Sequence, residues 1–476
     1  MFIKDFNLNF FTQGGKAETK KDKENPMSKE RTKHKIGIIG GGAAGLLAAV
    51  LLARAGFAVT ILEKNDKIGK KLLITGNGRC NLSNRQAAAG HYFSRSGDLA
   101  GGILRRFPVE KTLAVFESLG ITARELEGGK LYPYSLEAKT VVKAFLYQME
   151  YLGIEVIYGA EVTALRKKEN WQVFYRQKDL AENDRPEKNK SGKDKFPKNK
   201  ALPEPKSRIF QDIILCTGGM SYAVSGSDGQ GYELAGGLGH SLIPPRPAIV
   251  QLVMQEKSFP YYKHLQGTKT EAALTLCDSQ NQVLRRERGE LLFTAYGVSG
   301  PPVLLLSTTA AYAWAEGKRL KLAVNFLPEM EKEEVSRFLR EKLKTLPYFS
   351  VERLLEMFLP NRLVGVLLKH TDIPAGKAAA EISEKEQRKI VSFLTELELE
   401  AEKPYQWQQA QVTAGGISCR EVDAVTLESK KAAGLYLIGE ILDVDGDCGG
   451  FNLQWAWSSA MAVAAAISQK RGGNEI

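Results

Sequence analysis

The 476-residue chain predicts an α/β fold. Three observations carry that prediction. An apolar run passes through a glycine-rich turn into a helical pattern, the next strand closes on an acid, and a second glycine cluster opens another helix late in the chain.

Lys35 to Ile39 is a short apolar run, and from Ala43 onward Leu46, Leu47, Val50, Leu51 and Ala53 follow a helical period. Gly40 permits the tight turn between them. Gly42 lets a pyrophosphate approach the backbone, and Gly45 lets the helix lie close to the strand. The following strand, AVTILE, ends at Glu63, placed where a carboxylate accepts hydrogen bonds from a ribose diol. An acid there favours FAD or NAD over NADP.

Residues 65–84, NDKIGKKLLITGNGRCNLSN, read as a glycine- and asparagine-rich loop. Its backbone donors and the Asn77, Arg79 and Asn81 side chains suit a polar ring system and a diphosphate. Near the C-terminus, GLYLIGEILDVDGDCGGFNLQ reads as a strand ending at Gly439-Glu440 and a loop carrying Asp443. Gly449-Gly450 then open a helix around Asn452. Unpaired N–H groups at such a helix start suit the electron-rich pyrimidine edge of a reduced flavin, so FAD fits better than NAD.

Composition narrows the partners. The five cysteines show no CxxC spacing, no apolar run is long enough to span a bilayer, and no signal peptide is apparent, which predicts a cytoplasmic protein with reduced thiols. The net charge of +11 is spread along the chain among acids, so neither a nucleic-acid nor a membrane partner is expected. His34, His91, His240, His264 and His370 have no ligand spacing, and no metal site is expected. Residues 1–33, polar and lysine-rich with an alternative start at Met27, read as a disordered tail. Residues 179–207, with four prolines and almost no large apolar side chains, read as a disordered, solvated insertion.

Together, GIIGGGAAG, GKKLLITGNGRCNLSN, GVSGPPVLLLS, VTAGGISCREVDAVTLESK and GLYLIGEILDVDGDCGGFNLQWAWSS closely resemble the bacterial NAD(P)/FAD-dependent oxidoreductases of the BaiN type. Members of that family are described as 3-dehydro-bile-acid Δ4,6-reductases or aminoacetone oxidases. The resemblance implies a glutathione-reductase-type FAD-binding Rossmann domain at 34–240 and 412–470. It further implies a β-barrel-like domain at 241–330 and 404–411, and a small helical domain inserted at 331–403. Short alternating runs such as AALTLC and the charged amphipathic pattern after residue 331 agree with those assignments.

Carried over by position, the resemblance places Gly40, Gly42, Ala44 and Gly45 at the pyrophosphate, and Glu63 and Lys64 at the adenosine ribose. Lys71, Thr75, Asn77, Arg79, Cys80 and Asn81 then run past the diphosphate toward the flavin. Val162 meets the adenine through its backbone, and Thr217, Gly218 and Gly219 lie close to the dinucleotide. The final motif contributes Gly439, Glu440, Asp443, Gly450, Phe451 and Asn452. Where the family commonly has Thr-His before its Gly-x-Ser-Gly-Pro motif, this chain has Thr294, Ala295 and Tyr296.

Cys80 has no neighbouring thiol, which disfavours dithiol chemistry and leaves redox work to the flavin. The expected reaction is hydride transfer from NAD(P)H through FAD to a small-molecule acceptor, such as a conjugated enone, with Tyr134 and Tyr296 as candidate proton donors. An amine oxidase using oxygen and a nucleic-acid-binding flavoprotein stand as alternatives, and the oligomeric state is left open.

Overall fold

The computed structural model describes residues 34–178 and 204–474. The expected disordered tail and most of the expected insertion lie outside them. A parallel sheet forms the centre, with strands in the order Leu435–Leu437, Asp212–Leu215, Lys35–Ile39, Ala58–Glu63 and Glu155–Tyr158. Ile38 sits opposite both Ile214 and Ile61, so each strand reads as a run of buried aliphatic residues. The sheet brings the ends of the first two strands, Ile39 and Glu63, to one edge.

The helix that follows the first strand packs on this sheet. Ala43–Arg54 is alanine- and leucine-rich and buried from Ala44 through Ala53, and it lies against Phe451–Arg471. The later helix carries two indoles that fasten neighbouring loops. Trp455 Nε1 donates to Gly439 O at 3.0 Å, and Trp457 Nε1 donates to Leu82 O at 2.8 Å. Burying an indole requires a partner for its N–H, and here each partner belongs to a loop that must be held still.

Beyond the Rossmann unit, six antiparallel strands close into a barrel, and the helices of residues 332–396 are inserted between its last two strands. The closing strand is Leu397–Pro404, which pairs with Leu320–Asn325 on one side and Leu252–Met254 on the other. The helical insert therefore ends at Glu396 and not at 403. Buried Leu397, Leu399 and Ala401 alternate with glutamates, a period-two pattern lost among the charged helices before it. The barrel starts at Leu252, because Leu242–Ala248 pairs with Val412–Ile417 in a separate two-stranded ribbon.

Two local expectations change. Residues 205–207 belong to a strand, Pro205–Phe210, that pairs with Trp171–Gln177 and so shorten the expected insertion. All but its last side chain are exposed, which is why its composition resembles that of a loop. Within the expected 65–84 loop, Lys70–Gly78 begins as a helix and breaks at Thr75 to Asn77. Among the described residues, no helix is long and apolar enough to cross a membrane.

Candidate active site

A single cleft of about 720 Å³ runs from the Glu63 edge of the sheet to the start of the final helix. At its first end one local stretch supplies the turn, the helix start and the acid. Gly40 has φ 110°, and a Cβ there would lie 2.6 Å from Cys216 O, so only glycine makes this turn. A Cβ on Gly45 would lie 2.1 Å from Gly40 O, which seats the helix against the strand end. Nothing comes within 4 Å of the corresponding position on Gly42, whose bare face opens on the cleft beside Ala44. The helix has no side-chain cap and no acid in its first turn, leaving its N–H groups for an anion.

Glu63 is 6% exposed and is fixed by three donors: Gly41 N at 2.7 Å, Asn65 N at 2.8 Å and Asn65 Nδ2 at 2.7 Å. Beside it Lys64 pairs with Asp228 at 2.5 Å. Val162 also lines this end, where its strand shifts register between Val162 and Ala164 and interrupts the backbone pairing.

Across the middle, Lys71 Nζ lies 2.6 Å from Glu440 Oε2 and 2.7 Å from Ser221 Oγ. Glu440 Oε1 in turn accepts from Thr413 N at 2.9 Å and Ser221 Oγ at 3.1 Å. This pair joins the 70–81 segment to the C-terminal motif; Ser221 and Thr413, which complete it, were not among the expected residues. Thr75 and Asn77 line the cleft at the helix break, with Asn77 at φ 56°, a conformation asparagine tolerates better than most residues. Gly218 and Thr217 face the cleft, and Thr217 Oγ1 is buried without a hydrogen-bond partner. Gly219 sits behind, where a Cβ would meet Thr413 Oγ1 at 2.4 Å.

At the far end, Phe451–Arg471 starts at Gly450, again with no side-chain cap and no acid in its first turn. A Cβ on Gly450 would lie 2.3 Å from Ser83 O. Asn81 lies alongside, 8% exposed, its Oδ1 buried and unpaired. Gly439, Asn452 and Arg79 line the cleft as well. The Asn452 amide is engaged locally, accepting from Gly446 N at 2.8 Å and donating to Gly446 O at 2.8 Å.

Several expected site residues turn away from the cleft. Asp443 is fully buried, and its Oδ2 accepts from Ser94 Oγ, Arg95 N, Ser96 N and Ser96 Oγ. Burial holds its carboxyl above the usual range even against those donors. Phe451 stacks on His91, with ring centroids 4.5 Å apart. The Cys80 thiol is fully buried and pushed up to about 12, an inert group in the loop's underside.

The two expected proton donors also lie outside the lining. Tyr134 is 65% exposed beneath the Arg124 guanidinium. Tyr296 donates to Gln251 Oε1 and stacks on Tyr405 at 4.1 Å. Tyr132 and Tyr222 do line the cleft, Tyr132 together with Lys130 and Cys448. Strand alternation could have signalled the Lys130–Tyr132 pair, since Lys130–Pro133 is a strand whose alternate residues share a face.

These residues fit FAD. Two uncapped helix starts can receive a diphosphate and a ring edge, Glu63 lies where a ribose is held, and Asn81 Oδ1 and Thr217 Oγ1 lack partners along the way. Fold and site thus define a flavoprotein oxidoreductase of the Rossmann class. The chain belongs to the HI0933-like protein Rossmann domain family, whose model matches residues 34–466.

Among curated proteins, a 3-dehydro-bile acid delta(4,6)-reductase from Clostridium scindens is 36% identical over 92% of this chain and 100% of its own. A ribosomal RNA dihydrouridine synthase from Haemophilus influenzae is 30% identical, covering 91% of this chain and 98% of that protein. Its counterpart from Escherichia coli is also 30% identical, over 90% and 96% respectively.

Proposed function

We propose that this protein is an FAD-dependent reductase of carbon–carbon double bonds conjugated to a carbonyl, with NAD(P)H as electron donor. The observation that carries the reading is the continuity of one cleft between two uncapped helix starts, with the Lys71–Glu440 pair spanning it. The names of the relatives add the acceptor chemistry. A Δ4,6-reductase and a dihydrouridine synthase both saturate a double bond in conjugation with a carbonyl.

The bound flavin would supply hydride chemistry at its N5. Glu63 would hold the ribose, the N–H groups after Gly42 the diphosphate, and those after Gly450 the pyrimidine edge, where negative charge collects on reduction. The glycine-rich stretch GGMSYAVSGSDGQGYELAGGLGH lacks the strand–turn–helix order of a second dinucleotide domain. A nicotinamide therefore reaches the flavin through the cleft that the acceptor also uses, and the half-reactions alternate.

Anaerobic NADH or NADPH should bleach the yellow protein with no acceptor present, a conjugated enone should restore the colour, and initial-rate plots should be parallel. Intersecting lines would defeat the shared cleft. Failure of both nicotinamides, together with bleaching by amines, would move the assignment to an oxidase.

A second reading takes a uracil ring in ribosomal RNA as the acceptor. The names of the Haemophilus and Escherichia relatives favour it. Salt-dependent retention of RNA, with dihydrouridine appearing in ribosomal RNA treated with enzyme and NADPH, would select this reading over a small enone.

A further inference from the structure

Five cationic residues line the cleft, and they divide into two groups. Lys64 pairs with Asp228, Lys70 with Asp66 and Lys71 with Glu440. Arg79 and Lys130 have no carboxylate partner among the described residues, and both lie at the end where the final helix begins.

Tyr132 stands between them. The Arg79 guanidinium sits 5.0 Å above the centre of its ring. Gly76, where a Cβ would lie 3.1 Å from Tyr132 Cε1, lets the 75–79 turn close over that ring. Lys130 shares the strand face with Tyr132, and its Cε would lie 3.7 Å from a Cβ on Gly449. The strand is fixed from both sides, by Ser83–Asn84 and by Ala123–Leu126, so the wall is rigidly placed. Tyr132 lines the cleft, and its hydroxyl has no hydrogen-bond partner among the described residues. Burial pushes its proton affinity up and the Arg79 charge opposes that, which keeps the phenol protonated and able to donate.

Resting on the reductase reading, we propose that Tyr132 is a catalytic residue and Lys130 its partner: both donate to the carbonyl oxygen of the conjugated acceptor, with Arg79 as a positioning residue behind the ring. A hydride reaching the β-carbon would push the double-bond pair into an enolate, whose oxygen takes the negative charge; the bound flavin, reduced by NADPH, would supply that hydride. Donors already aimed at that oxygen stabilise the charge as it develops. A proton from water then completes the α-carbon.

The test compares two oxidants of the NADPH-reduced holoenzyme: 2-cyclohexen-1-one, which must be polarised at a carbonyl, and ferricyanide, which has none. In Tyr132→Phe the enone rate relative to the ferricyanide rate should fall about 100-fold. Pentafluorophenol, whose phenolate mimics the enolate, should bind the oxidised holoenzyme with a long-wavelength absorbance change. Its dissociation constant should rise about tenfold in Lys130→Met, corresponding to about 1.4 kcal/mol, and recover in Lys130→Arg.

An unchanged oxidant ratio in Tyr132→Phe would overturn the proposal, as would an unchanged pentafluorophenol dissociation constant in the Lys130→Met molecules that retain FAD. If NADPH bleaches the wild-type protein but the enone fails to reoxidise it, the reductase reading itself fails. In that case phenol binding still decides whether the wall holds an oxyanion.

Discussion

The two ends of the cleft are each built around the uncapped start of a helix, but they are built differently. At Gly40–Gly45 the turn, helix and acid come from one continuous stretch, whose glycines let it seat against itself and against Cys216 at the end of the neighbouring strand. At Gly439–Asn452 the shape is set by groups from remote parts of the chain. Ser94, 349 residues from Asp443, holds that carboxylate with Arg95 and Ser96, while Asp447 takes His91 and the barrel residue Arg285. One end is a local motif. The other is a tertiary junction that also docks the barrel, since Tyr312 of the helix Pro301–Ala315 donates to Asp445.

Breaking each end should therefore produce a different loss. Asp443→Ala leaves several buried donors unpaired, each costing about 1–3 kcal/mol before relaxation, so a net loss of about 3 kcal/mol in stability is expected. FAD retained per folded molecule should match the parent in gel filtration at low temperature. A cofactor-specific loss without a change in Tm would return Asp443 to the binding site.

Glu63→Ala also orphans three donors, but it should differ from Asp443→Ala in losing FAD per folded molecule. Removing the carboxylate proposed to hold the ribose should weaken FAD retention by about 1.5–3 kcal/mol, or roughly tenfold to a hundredfold in dissociation constant. Equal FAD occupancy in mutant and parent after gel filtration would contradict the assignment of that end.

The smallest effect sharpens the contrast through pH. Asp445 is completely buried, and burial, with Asp443, Glu440 and Asp447 nearby, holds its carboxyl well above the usual carboxylate range while Tyr312 opposes the shift. The native state thus keeps a proton that the unfolded chain gives up above about pH 4, and stability contributed by this group declines as pH rises from there toward the native value. Asp445→Asn removes that decline, so the variant should gain on the parent in Tm as pH rises above about 4. A parallel pair of Tm–pH curves would show that Asp445 ionises normally.

The glycine turn, the helix after it and Glu63 were legible because each depends on a few adjacent residues and on sterics that composition reveals. The strand Leu397–Pro404 was hidden by its glutamates, which face solvent while the buried leucines close a barrel whose other strands lie far away in sequence. Asp443 and Phe451 resembled cofactor contacts because they occupy a cofactor motif, yet a motif does not state which way a side chain points. Tyr134 and Tyr132 differ by two positions in the same stretch. The strand ends at Pro133, leaving Tyr134 in solvent and Tyr132 in the cleft.

The sequence by itself determined the class of chain, the dinucleotide turn and the two regions that meet around a flavin, because backbone sterics and hydrophobic periodicity are local. The tertiary structure alone decided that the acid row Asp443–Asp445–Asp447 supports the domain junction, that Lys71 spans the cleft to Glu440, and that Arg79, Lys130 and Tyr132 share one wall. Those outcomes depend on which distant groups satisfy a buried charge and which cations are left without one, a balance of desolvation and pairing that exists only once the chain has closed on itself.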